Sequence, residues 1–141
     1  MTRYINLEQA GKERIKAKKD IAYAMRELAL QSDINGTVLD LISYIIITLN
    51  RIEETIDKTV VPWEKRGYWI KADKFRREWA WVSNIKQQLH VALVSEDWEK
   101  IQKLTIEIFS KVSDVKITKK QSLETPWVGS YRQLFPSKMA L

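Results

Sequence analysis

The sequence predicts an all-α protein: an antiparallel four-helix bundle with helices at about 7–31, 37–60, 66–94 and 96–113, then a mostly irregular C-terminal extension. Glycine and proline are scarce, four and three in 141 residues, so few points interrupt a helix. Apolar residues recur at three- and four-residue spacing over long stretches instead of alternating. The polar breaks between those stretches are short, as connections in a bundle are. The length suits one domain, with residues 1–113 as the bundle and 114–141 as an extension docked on the same or a neighbouring protomer.

In the first helix, Asn6 and Gln9 stand at capping-box spacing. At 100° per residue, Leu7, Ala10, Ile21, Met25, Leu28 and Ala29 share a face. Arg14 and Lys18 interrupt it, so the C-terminal half is expected to make the core contact. The run GKERIKAKKD places Lys12, Arg14, Lys16, Lys18 and Lys19 on nearly every side of the helix. It is expected to project beyond the bundle, solvated all round; the sharper alternative is a phosphate-contacting arm.

The second helix is expected to be capped by Thr37, with Asp40 near the positive end of the helix dipole. Val38, Leu41, Ile42, Ile45, Ile46, Leu49, Ile52, Ile56 and Val60 form a broad stripe, the main core element. Pro62 is expected to stop this helix at about Val60, because the residue before a proline is pushed out of the α region.

The stretch WEKRGYWIKADKFRREWAW, residues 63–81, leads into the third helix and holds four of the six tryptophans. Tyr68, Ala72, Phe75, Trp79, Val82, Leu89 and Leu93 share one side and are expected in the core. Ile70, Trp81, Ile85 and Ala92 lie on another side, about 150° away at helical phase. A bundle helix needs one apolar face, so the second requires a partner. Asp73 can reach Arg76 and Arg77, and Lys74 can reach Glu78, at i+3 and i+4. The fourth helix is expected to open on Ser95-Glu96-Asp97 and to carry Trp98, Ile101, Leu104, Ile108, Phe109 and Val112 inward. In the extension, Trp127, Tyr131, Leu134 and Phe135 stand among prolines and a glycine. That aromatic content points to docking, since disordered tails are poor in aromatics.

Composition narrows the function classes. There is no cysteine, which removes disulfides and thiolate metal sites. The single histidine, His90, has Gln87 at i−3, so the Glu-x-x-His pattern of di-iron bundles is missing. His90 is expected to be a packed or edge side chain. No nucleophile elbow or glycine-rich phosphate loop is present. The expectation is no enzyme, no cofactor and no metal. A small-molecule carrier would need a polar-lined cavity between helices. The N-terminus lacks the apolar core of a signal peptide, and Val38–Leu49 is about half a membrane span, so a cytoplasmic protein is expected.

The net charge of +6 is distributed in blocks. Residues 1–32 carry seven basic and four acidic groups, residues 33–64 two and six, residues 65–81 six and two, and residues 111–141 six and two. Such asymmetry steers an anionic partner or matches segments to one another within a bundle. The leading expectation is a non-enzymatic protein acting through protein–protein contacts, as a homodimer or a small subunit of an assembly. Trp63, Arg66, Ile70, Trp81, Ile85, Trp127, Tyr131 and Phe135 are its candidate interface. The alternative is a sequence-tolerant nucleic-acid binder using Lys12, Arg14, Lys16, Lys18, Lys19, Arg66, Arg76 and Arg77, with no recognised motif. No membrane partner is expected, because the Lys12–Lys19 run lacks a wide apolar face.

Overall fold

The computed structural model describes residues 2–117 and 124–139, with side chains for 8–117 and 124–137, and the fold is all-α. The helices are α1 (Thr2–Ala29), α2 (Gly36–Lys65), α3 (Trp69–Glu78), α4 (Ala80–Val94), α5 (Trp98–Val112) and two short turns, α6 (Ser130–Leu134) and α7 (Pro136–Met139). The long helices touch in a ring: α1 meets α2, α2 meets α4, α4 meets α5, and α5 returns to α1. Helices α3 and α6 also lie on α2, which makes α2 the central element. All nine residues of its apolar stripe are buried, from Val38 to Val60.

Several boundaries differ from the sequence expectation. Helix α1 runs through Asn6, whose side chain lies outside the described residues, as does that of Leu7; Asn6 is not at the helix start. Asn35, not Thr37, caps α2: its side-chain oxygen accepts from the Val38 N–H at 3.0 Å. Pro62 lies inside α2. A proline removes one hydrogen bond, a small loss this near the end, and Trp63 in the same turn packs edge-on against Phe75 of α3. The helix ends instead at Gly67, with φ +82°. There the Gly67 N–H donates to the Glu64 carbonyl and the Tyr68 N–H to the Trp63 carbonyl, a Schellman motif that favours glycine.

The expected third helix is two. Trp79, at φ −109° and ψ 8°, separates α3 from α4. The second apolar face is not separate from the core face. Before Trp79, Ala72 is buried and Phe75 packs on the core; after it, α4 buries Val82, Ile85, Leu89, Ala92 and Leu93 together. Ile85 and Ala92 therefore complete the same core as Leu89. Tyr68, expected inside, lies exposed ahead of α3.

A second Schellman motif joins α4 to α5: the Glu96 N–H donates to the Leu93 carbonyl and the Asp97 N–H to the Ala92 carbonyl. Its left-handed position is taken by Glu96 at φ +55°, where a glycine would be relaxed. The cap of α5 is Asp97, which accepts from the Lys100 N–H at 3.1 Å, and not Ser95, which closes α4.

The extension packs on its own chain. Trp127 is buried and meets Tyr23 of α1 with ring centroids 5.2 Å apart, and the Tyr23 hydroxyl donates to the Glu124 carbonyl at 2.6 Å. Asp40 does not serve the start of its own helix. Its carboxylate accepts from the Gly129 and Tyr131 N–H groups at 3.2 and 2.9 Å, holding the first turn of α6 against α2.

Candidate functional site

The tryptophan-rich segment builds a column of rings. Trp63 meets Phe75 at 5.5 Å, Phe75 meets Trp79 at 6.3 Å, and Trp79 stacks on Trp81 at 6.1 Å. Three cations clad it: Lys71 at 4.4 Å from the Trp63 ring, Arg14 at 4.9 Å from Phe75 and 5.5 Å from Trp79, and Lys111 at 5.9 Å from Trp81. Negative ring faces attract cations, so the aromatic and basic residues of this segment largely satisfy one another.

Arg14 is the main departure from the expected solvated arm. It stands four residues after Ala10 and three before Ala17, both buried, and so lies on the helix face turned to the core. Only 8% of it is exposed. One guanidinium nitrogen donates to Thr59 Oγ1 at 2.8 Å, and its Nε has no hydrogen-bond partner among the described residues. Burial lowers its pKa from the usual arginine value.

The other basic candidates are mostly engaged. Lys12 pairs with Glu8 at 3.7 Å, Lys16 with Asp20 at 3.2 Å, Lys18 with Asp114 at 3.3 Å, and Arg77 with Asp73 at 2.9 Å. Arg76 reaches across to Asp57 at 3.0 Å and Glu64 at 3.4 Å. Burial alone would lower its pKa, but those two carboxylates raise it. Lys19 is half-buried.

Of the candidate interface residues, Ile85 and Trp127 are buried in the chain's own core. A buried side chain cannot face a partner, which corrects both assignments. Trp63 and Trp81 are half-buried in the column. Tyr131 and Phe135 are half-buried against each other at 5.2 Å, with His90 5.3 Å from Phe135. His90 borders an open pocket of about 630 Å³ between α2, α4 and α6, with Asn50, Lys86 and Gln133 on its wall. Lys86 is bonded there to Glu53 and to Asn50. Arg66 and Ile70 are exposed.

A larger feature escapes sequence inspection. An open groove of about 1140 Å³ runs between the end of α1, the following loop and α5. Met25, Val38, Ile42 and Ile101 are buried along it. Its borders carry Leu30, Ile34, Ile106 and Phe109, which are 74%, 58%, 65% and 49% exposed. Phe109 belongs to the stripe expected to face inward. Ile106 stands almost opposite that stripe, and Leu30 and Ile34 interrupt a polar turn, LQSDIN. An isoleucine between Asp33 and Asn35 was the available signal, since turn residues are normally polar. Among the described residues, no three His, Cys, Asp or Glu side chains gather as metal ligands would. Comparison with protein-family models, curated proteins and solved structures found no match.

Proposed function

We propose that this chain is a non-enzymatic helical protein acting through protein–protein contacts, with the α1–α5 groove as its contact surface and a second copy of the chain as occupant. The observation that carries this reading is the gathering of four large exposed apolar side chains around one groove. Contiguous apolar surface of this kind marks an interaction site, whereas single exposed leucines do not.

Self-association is favoured by the form of the patch. Ile106 and Phe109 make a ridge on α5 directly beside the groove, so ridge and groove belong to one surface and suit an isologous pair. Glu99, Lys103 and Glu107 alternate in sign at four-residue spacing beside that ridge. Lys103 is paired with Glu99 at 3.7 Å within the helix, and two antiparallel α5 helices offset by one turn set Glu107 of each against Lys103 of the other. The nucleic-acid alternative is supported less well, because phosphate would have to displace the existing partners of Lys12, Lys16, Lys18, Arg76 and Arg77.

Sedimentation equilibrium across micromolar concentrations tests the proposal. A concentration-dependent dimer is expected, converted to monomer by Ile106→Glu or Phe109→Glu. A single monomeric species throughout, or a dimer indifferent to both substitutions, overturns it.

A further inference from the structure

The corner between α2 and α3 is unlike the rest of the surface. The Schellman turn at Gly67 reverses the chain so that α3 folds back on α2, and the three consecutive residues beyond the turn are exposed. Tyr68 is 53% exposed, Trp69 64% and Ile70 88%. The flanking cations Lys65, Arg66, Lys71 and Lys74 are exposed as well. The one carboxylate in that stretch, Asp73, is held by Arg77 at 2.9 Å, and the preceding Glu64 by Arg76 at 3.4 Å. The corner thus has an apolar, aromatic tip within a basic collar.

We propose that this corner docks the protein on an anionic membrane surface. Tryptophan and tyrosine rings settle at the level of lipid headgroups, with the apolar body toward the acyl chains and the polar edge toward water. Ile70 adds an aliphatic side chain beside them. The collar meets the negative charge of the leaflet, and its long side chains can keep their charged ends at headgroup level while their methylenes lie lower. Shallow insertion and charge each bind weakly, and together they give reversible docking.

Charge complementarity alone would serve a nucleic acid equally well, but the shape of the corner favours lipid. A single strand needs successive stacking platforms along a basic groove. Here two rings stand on a projecting tip, and its most exposed side chain is an isoleucine with no ring to stack. The Lys12–Lys19 run, on which the expectation of no membrane partner rests, has no such tip. No helix among the described residues is long and apolar enough to cross a membrane, and docking requires none.

Flotation of the full chain with lipid vesicles tests this. The chain is expected to float with vesicles containing about a third phosphatidylserine and not with pure phosphatidylcholine, and less so at physiological than at low salt. The double substitution Trp69→Ser with Ile70→Ser leaves the charge intact and is expected to weaken flotation at least about tenfold. Lys71→Glu with Lys74→Glu, which leaves the tip intact, is expected to do the same, so the result does not depend on how α3 tolerates serine. Ile106→Glu, in the groove, is expected to change nothing. Three outcomes overturn the proposal: no flotation with anionic vesicles at low salt; flotation indifferent to the serine pair; or Trp69-dependent binding of a single-stranded oligonucleotide without flotation.

Discussion

Two stretches of this chain are basic to a similar degree and look alike as sequence: Lys12–Lys19 on α1, and Lys65–Lys74 across the α2–α3 corner. In the fold they have opposite fates. The first lies along α2, and its charges are drawn into contacts. Arg14 sinks between Thr59, Phe75 and Trp79, Asp20 gathers both Lys16 and Arg51 of α2, and Glu13 binds Lys58 at 3.6 Å. The second reverses at Gly67, where α3 folds back on α2, and carries its cations around an exposed bend. Local density of Lys and Arg is the same kind of signal in both. What faces the helix decides whether the charge remains available. The acidic 33–64 segment supplies much of that facing surface, with Asp57 and Glu64 taking Arg76 and Glu53 taking Lys86.

The comparison breaks most severely at Arg14. Arg14→Glu would set a carboxylate against two ring faces in a buried site with no cation to meet it, and should destabilise the fold by about 4 kcal/mol. Arg14→Met keeps the volume and removes a cation that has no carboxylate partner among the described residues, so its effect should stay within about 1 kcal/mol of wild type. Denaturant midpoints of the two variants measure both. A tolerated glutamate would mean that the α1 run is solvated after all, and the contrast between the two basic regions would vanish.

Arg14 also shows how much was legible. Its position between Ala10 and Ala17 lies in helical phase with Ile21, Ala24 and Leu28, so the continuous stripe could be traced through it. Treating charge as an interruption hid this, although an arginine can bury its stem and stack its head on rings. The α2 stripe was fully legible because its 3/4 spacing persists for more than five turns without a break. The third helix was not. No glycine or proline marks the break at Trp79, whereas Ile85 and Ala92 stand within about 60° of Leu89 at helical phase and could have been placed on its face. Pro62 misled in the opposite direction, since its local preference is outweighed by packing between Trp63 and Phe75. The groove stayed hidden because its borders come from α5 and a loop far apart in sequence, joined only by tertiary packing. The exposed corner is half legible: Ile70 lies off the core face by helical phase, whereas Tyr68 shares the phase of Ala72 and Phe75 yet stands exposed ahead of α3.

A smaller effect sharpens the contrast at the boundary between the two regions. Arg76, in the last turn of α3, reaches across to α2 and is shared by Asp57 and Glu64. Asp57→Asn removes the nearer carboxylate from a pair that is largely solvent-exposed, so the loss of stability should be only about 0.5 kcal/mol by thermal or chemical melting. The same change releases positive charge close to the corner. It should strengthen flotation with anionic vesicles while leaving sedimentation unchanged, which would tie the acidic surface of α2 directly to how much basic charge is left for a partner.

At the corner itself the effect on stability is again small. Lys71→Glu with Lys74→Glu reverses two exposed charges. Lys71 contributes a cation–π contact to Trp63 at 4.4 Å, worth about 0.5–1 kcal/mol at an exposed site. Lys74→Glu sets a carboxylate beside Arg77 at i+3 and against Glu78 at i+4, two small effects of opposite sign. The sum should leave the denaturant midpoint within about 1 kcal/mol of wild type, while flotation with anionic vesicles collapses. The α1 run should show the reverse balance: Arg14→Glu destabilises the fold strongly, and Lys12→Glu at an exposed pair alters neither stability nor vesicle binding appreciably. If Lys71→Glu with Lys74→Glu instead destabilises the fold as Arg14→Glu does, the corner is a structural element like the α1 run, and its exposed tip needs another explanation.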